Sequence, residues 1–228
     1  MRKAIVIVPS DTELSPDAEA DLVQVAGIIV SRTIIVRTPD SIGEAVAIAD
    51  TIVTSLFLVR DHEIVTIIAP ACGVAKAFVS KRDEKNCIAK LEPMLLDPVE
   101  RRGVMNGTVK GMQPSKHPDI HTGPVGAIGD PLFTTRTDGC GAPLVMVTGV
   151  SGPMKVFEHR DFEPSVWRMD REVPPGQIGG GVWTIGGAFV GLTLARKMPY
   201  ENVPGSMARE RFFALPAEDV MDFAEARE

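Results

Sequence analysis

Short runs of apolar and β-branched residues, separated by glycine and proline, dominate the hydrophobic pattern of this chain. Such runs, with turn residues between them, are typical of strands in antiparallel barrels and sandwiches. The pattern therefore predicts an all-β fold with strands within residues 25–36, 44–48, 51–59, 63–69, 74–79, 87–91, 104–112, 124–128, 132–135, 143–147, 154–157, 182–185, 189–194 and 212–215.

Two segments, one near each end of the chain, carry helical signals instead. Residues 15–23 begin with a serine followed by Pro16, and proline is favoured at the first helical position. Residues 216–227 begin with acidic residues, which suit a helix N-terminus, and place Val220 and Phe223 on one face. Between the predicted strands, residues 149–181 are rich in proline and glycine and predict a long excursion.

Composition narrows the class of protein. The 228 residues are 44% hydrophobic, enough for one large globular domain or two small ones. The net charge of −6 argues against a general nucleic-acid surface, and no apolar stretch is long enough to predict a membrane span or a signal peptide. Three cysteines (Cys72, Cys87 and Cys140) make a poor disulfide framework, so we expect reduced thiols and a cytoplasmic protein.

Cys140 is the strongest candidate for chemistry because it stands between Gly139 and Gly141, just before Pro143. A nucleophile needs a tight turn of small residues, from which its side chain reaches a carbonyl carbon while backbone N–H groups hold the oxyanion. The alternative is a small residue that merely fills a turn.

The Cys140 motif resembles the G-x-C-G-x-P-L nucleophile loop of viral chymotrypsin-like cysteine peptidases. Further landmarks of HtrA-like and viral chymotrypsin-like peptidases follow in order. Residues 43–59 resemble the hairpin that carries the catalytic histidine, residues 87–91 the strand after the catalytic aspartate, residues 189–194 the strand beside the specificity pocket, and residues 212–220 the closing strand and C-terminal helix.

This resemblance implies two six-stranded antiparallel β-barrels with a C-terminal helix. The first barrel, with an N-terminal extension, would occupy residues 1–98. The second, residues 99–228, would carry the Cys140 loop, the 149–181 excursion and the C-terminal helix.

The same comparison shows departures at the catalytic positions. Phe57 stands where the resemblance places the histidine, and Cys87 where it places the aspartate. The oxyanion hole would be formed by Asp138, Gly139 and Cys140, with Asp138 where the viral enzymes have glycine. The specificity-pocket strand has Thr193 in place of the histidine of glutamine-specific viral enzymes.

Histidines elsewhere offer weaker candidates. His62 is a candidate base with Asp83 or Glu84 as its orienting carboxylate, although all three also fit exposed turns. His117 and His121 could bind a metal only on a helix, and the prolines around them favour a loop. We expect no metal and no cofactor.

Two functions follow from these residues. The first is a degenerate peptidase, or pseudopeptidase, that serves as a binding or assembly module with a protein or peptide partner in the inter-barrel cleft, and without nucleic acid or membrane. The second is an active cysteine endopeptidase with Cys140 as nucleophile, His62 as base and Asp83 or Glu84 as orienting group. A third possibility is an unrelated all-β domain with a coincidental turn. The oligomeric state stays open.

Overall fold

The computed structural model describes residues 6–7, 16–48, 51–69, 73–94, 122, 131–137, 143–149, 167–168, 176–196 and 211–226. In the first half of the chain the elements are β1 (Val6–Ile7), α1 (Pro16–Arg32), β2 (Thr33–Arg37), β3 (Ile42–Ile48), β4 (Thr51–Ser55), α2 (Leu56–Val59), β5 (Ile64–Ala69), β6 (Gly73–Asp83) and β7 (Ile88–Pro93). In the second half they are β8 (Pro131–Thr137), β9 (Pro143–Gly149), β10 (Trp167–Arg168), β11 (Gly181–Thr184), β12 (Phe189–Arg196), β13 (Arg211–Pro216) and α3 (Ala217–Glu225).

Six strands of the first half close into an antiparallel barrel in the order β2-β3-β4-β7-β6-β5. Alternate residues point inward, since the side chains of successive strand residues face opposite sides of a sheet. On β3, Ala45 and Ala47 belong to the barrel interior, whereas Val46 and Ile48 belong to the cluster that faces the second half of the chain.

The second half forms a seven-stranded sheet in the order β1-β9-β8-β11-β12-β13-β10. Every pairing in this sheet is antiparallel except that of β1 with β9. The structure thus confirms an all-β chain with one closed six-stranded barrel and a C-terminal helix. Of the two predicted barrels only the first closes within the described residues.

Helix α1 corrects the prediction of a strand over residues 25–36. The helix predicted to start at Pro16 continues to Arg32, and only Thr33–Arg37 is a strand. Val25, Ala26 and Ile29 are buried while Ile28 is exposed, which is the period of a helix packed on a core. β-branched residues lower helix propensity only slightly, so burial of one helical face outweighs the local composition.

Other predicted strands differ in extent or lie outside the description. The run predicted over residues 51–59 is a strand only to Ser55, after which Leu56–Val59 form a single helical turn. Strand β6 continues to Asp83, beyond its predicted end. The strands predicted in 104–112, 124–128 and 154–157 lie outside the described residues. Among the described helices, none has the length and apolarity needed to cross a membrane.

Two hydrophobic clusters hold this arrangement together. One fills the barrel interior. The other joins the outer face of the barrel to α1, the second sheet and α3, and contains Trp183, Phe133 and Phe189 as fully buried aromatic residues. This second cluster fixes the barrel against the sheet, and it includes Cys87, with Phe57 packed against it.

Candidate functional site

Phe57 lies on α2, the helical turn that directly follows β4. It is half-buried and packs against the cluster between the barrel and the second sheet. The guanidinium of Arg60 lies 5.6 Å from the centre of its ring. The structure therefore places an aromatic ring, packed and covered by a cation, where the resemblance implies a base.

Cys87 immediately precedes β7, which pairs with β4. Its backbone has a φ of 55°, an uncommon value for a residue with a side chain. Its carbonyl oxygen accepts a 2.8 Å hydrogen bond from the N–H of Leu56. This bond ties the start of α2 to the start of β7, so Phe57 and Cys87 stand on adjoining segments.

The Cys87 side chain is buried in the same cluster on which Phe57 packs. Its sulfur lies 3.5 Å from the carbonyl oxygen of Glu84, a geometry in which the thiol donates. A buried thiol of this kind behaves as a small apolar side chain.

His62 lies in the turn after α2 and is half-buried. Its Nε2 is 3.5 Å from Oδ2 of Asp40, which belongs to the turn between β2 and β3. The guanidinium of Arg82 donates to the His62 carbonyl oxygen at 2.9 Å. His62 therefore joins two turns at one end of the barrel.

Asp83 and Glu84 stand at the end of β6. The carboxylate of Asp83 accepts from the backbone N–H of Asn86 at 3.0 Å and from its side-chain amide at 2.7 Å. Glu84 is exposed. Within the described ranges, the carboxylate that lies beside the His62 imidazole is that of Asp40, rather than either of these two.

Thr193, on β12, is fully buried. Its hydroxyl donates to the carbonyl oxygens of Gln177 and Gly180, at 2.5 and 3.0 Å. Its backbone N–H donates to Gly180 at 2.8 Å, and its carbonyl oxygen accepts from Gly179 at 2.9 Å. The polar groups of Thr193 are thus all engaged by the chain itself.

Cys140, Asp138 and Gly139 lie outside the described residues, as do Cys72, His117 and His121. The nucleophile and oxyanion-hole assignments for these positions therefore stay predictions. Their frame is described, because Thr137 at the end of β8 pairs with Pro143 at the start of β9. In the described part of the chain, no group of three or more His, Cys, Asp or Glu residues is arranged to hold a metal ion.

Glu44 is a buried carboxyl that the sequence analysis did not single out. It lies on β3 with no exposed surface, and its Oε2 accepts a 2.5 Å hydrogen bond from the hydroxyl of Thr135 on β8. Its Oε1 has no hydrogen-bond partner among the described residues. Burial raises the pKa of Glu44 to about 8, although the Thr135 hydrogen bond lowers it.

Residues 176–180, which we call the glycine turn, belong to the predicted 149–181 excursion but were not singled out as part of a catalytic site. Gly176 and Gly179 have φ values of 100° and 85°, which favour glycine. The Ile178 carbonyl oxygen accepts a 2.8 Å hydrogen bond from the N–H of Glu44, and the Ile178 side chain packs against the barrel interior. The available signal was the run of small residues directly before the apolar start of β11.

Many solved structures match this chain, and three of them illustrate the likeness. An inactive serine-to-alanine mutant of Rv3671c from M. tuberculosis H37Rv has 17% identity and a TM-score of 0.61, with 94% of each chain covered. The MamO protease domain from Magnetospirillum magneticum has 16% identity and a TM-score of 0.60, covering 87% of this chain and 98% of that one. A serine endoprotease from Yersinia pestis has 15% identity and a TM-score of 0.61, covering 92% of this chain and 66% of that one.

The sequence by itself matches no protein-family model and no curated protein. At this level of sequence identity the structural match is evidence for the fold alone. It agrees with the resemblance that the order of the sequence landmarks suggested. The chain has the chymotrypsin/trypsin-like peptidase fold.

Proposed function

We propose that this chain is a pseudopeptidase, a chymotrypsin-fold protein without a working catalytic triad that serves as a binding or assembly module. One observation carries the proposal. The 2.8 Å hydrogen bond from Leu56 to Cys87 brings together the two segments that would present base and orienting acid, and these segments present Phe57 and Cys87.

Neither side chain can act as the general base or as the acid that orients it. A base must accept a proton from the nucleophile, and the phenyl ring of Phe57 has no atom that can. The Cys87 thiol is buried in an apolar cluster with its sulfur 3.5 Å from the Glu84 carbonyl oxygen, and it presents no carboxylate that could orient a histidine. Loss of the base alone removes most of the activation of a nucleophile in this fold.

Strand β12, which carries Thr193 at the predicted specificity pocket, gives further support to the proposal. Because Thr193 is fully buried and bonded to the glycine turn, a peptide reaching this position would have to displace those bonds. A protein or peptide partner would instead contact the rim of the cleft between a first barrel in residues 1–98 and a second in residues 99–228.

The second candidate function is an active cysteine endopeptidase with Cys140 as nucleophile. One observation favours it: His62 has a carboxylate 3.5 Å from its Nε2, as an oriented base would. The carboxylate is that of Asp40, so this version replaces Asp83 or Glu84 with Asp40 as the orienting group.

The reactivity of Cys140 across pH separates the two functions. We expect the alkylation of Cys140 by iodoacetamide to follow an ordinary thiol with a midpoint near pH ~8.5, and to be unchanged in His62→Ala. The rates are measured by peptide mapping, with Cys72 and Cys87 as internal references and His159→Ala as the matched histidine control. Selective reaction at Cys140 well below pH 8 that disappears in His62→Ala would establish the peptidase instead.

A further inference from the structure

The second half of the chain contains two glycine-containing segments that directly precede strands. One, residues 138–142, lies between β8 and β9 in the sequence and includes Cys140. The other is the glycine turn, which leads directly into β11. A nucleophile must lie close to its base. In this fold, the segment that holds the nucleophile is therefore the one that lies beside the segments carrying Phe57 and Cys87.

The glycine turn reaches the first barrel. The Ile178 side chain packs against a cluster that includes Leu56 and Leu58, the neighbours of Phe57 on α2. The Ile178 carbonyl oxygen, in addition, accepts the N–H of Glu44 on β3. A Cβ atom on Gly43 would lie 2.7 Å from both the Ile178 carbonyl oxygen and a side-chain carbon of Leu58. One on Gly179 would lie 2.9 Å from the nitrogen of Ser55, the N-cap of α2. The tip of this turn therefore lies beside the helical turn that carries Phe57.

Close packing holds the turn rigidly in this place. A Cβ atom on Gly179 would collide with the Glu44 carbonyl oxygen and the Thr54 hydroxyl, and one on Gly180 with the Glu44 carboxyl group. Two backbone hydrogen bonds to Thr193 fix the other side of the turn to β12. Fixed geometry is what a nucleophile turn supplies, since small displacements of the reacting atom greatly slow a reaction.

Strand β8, which precedes Cys140 in the sequence, meets the glycine turn at its last residue. The hydroxyl of Thr137 lies 3.5 Å from the carbonyl oxygen of Gly176. Two residues further along, Ile178 packs against the barrel cluster that contains Leu56 and Leu58. Strand β8 reaches the barrel elsewhere, through Thr135, which bonds to Glu44 on β3 and Thr33 on β2.

We infer that Ile178 occupies the place at which this fold presents its nucleophile, and that Cys140 does not. The inference rests on the proposed pseudopeptidase function and deepens it. An isoleucine side chain has no nucleophilic atom, so all three positions of the triad are then without catalytic groups: Phe57, Cys87 and Ile178.

An introduced histidine and thiol test this placement. In the double variant Phe57→His, Ile178→Cys, an imidazole within reach of the new thiol lowers the pKa of that thiol. We expect the thiol to react with iodoacetamide at pH 6.5 at least about tenfold faster than in Ile178→Cys alone, because one pKa unit changes the thiolate fraction tenfold. The rate at Cys140, measured in the same samples, stays the same with and without Phe57→His.

A second double variant tests the same placement if the first one does not fold. A short bifunctional methanethiosulfonate is expected to join the thiols of Phe57→Cys, Ile178→Cys, and not to join Phe57→Cys to the native Cys140. An introduced thiol indifferent to Phe57→His, or a Cys140 accelerated or cross-linked by the change at position 57, would overturn the inference. Dependence of native Cys140 on His62 would instead overturn the proposed function, so the two failures are distinguishable.

Discussion

Replacing Gly179 with alanine is expected to lower the free energy of unfolding by about 3–5 kcal/mol, because two separate penalties combine. The first is backbone strain, since Gly179 has a φ of 85°. The second is overpacking, since a Cβ atom would collide with the Glu44 carbonyl oxygen and the Thr54 hydroxyl and lie 2.9 Å from the Ser55 nitrogen. Two of these atoms belong to the backbone of the barrel and cannot rotate away.

Urea unfolding followed by tryptophan fluorescence measures this loss. Gly186→Ala is the matched control, because Gly186 is exposed and the nearest atom to an added Cβ is 3.8 Å away. Its effect is expected to stay within about 0.5 kcal/mol. Equal losses in the two variants would show that the glycine turn is not held against the barrel as described.

Replacing Glu44 with glutamine is expected to remove a strong pH dependence of stability. The pKa of Glu44 is raised from 4.5 to about 8 by burial, so the folded protein holds a proton that the unfolded chain releases at a lower pH. The stabilising effect of this proton is complete below pH 4.5 and is lost as the pH rises towards 8. Relative to Glu44→Gln, the native chain therefore loses stability at about 1.4 kcal/mol per pH unit across this window.

Urea unfolding of both proteins at several pH values between 4 and 9 gives this difference directly, since the contributions of all other groups cancel. Glu63→Gln is the control, because Glu63 is an exposed glutamate. A constant difference between the native chain and Glu44→Gln across the range would mean that Glu44 is hydrated or paired in the folded protein. At low pH we expect Glu44→Gln to be less stable than the native chain. The glutamine amide adds a second hydrogen-bond donor at a place where Glu44 Oε1 has no partner among the described residues.

The sequence was sufficient for several strands of the first barrel, although not for all of them. In residues 44–48 and 63–69 the local composition favours a strand and the packing also favours a strand. The predicted and observed strands therefore nearly coincide there. Residues 25–32 were predicted as strand because isoleucine and valine are frequent in strands. Their helix depends on packing against a sheet that includes β9, more than a hundred residues away, which no local pattern reveals.

The site was harder to predict because its candidates were chosen by chemical type. A cysteine between glycines attracts attention, whereas an isoleucine on an otherwise similar turn does not. Glu44 could have been found, since strand alternation places it on the same face of β3 as Val46 and Ile48, which are buried. Its partner Thr135 lies on the second sheet and could not be predicted from spacing.

The most direct test of a vacated catalytic site is a search for peptide-bond cleavage. Native protein and Cys140→Ala are each incubated with a diverse peptide library, and new termini are identified by mass spectrometry. The account predicts that neither protein produces new termini above the buffer control. Reproducible cleavage by the native chain that is absent in Cys140→Ala would contradict it and establish a cysteine peptidase.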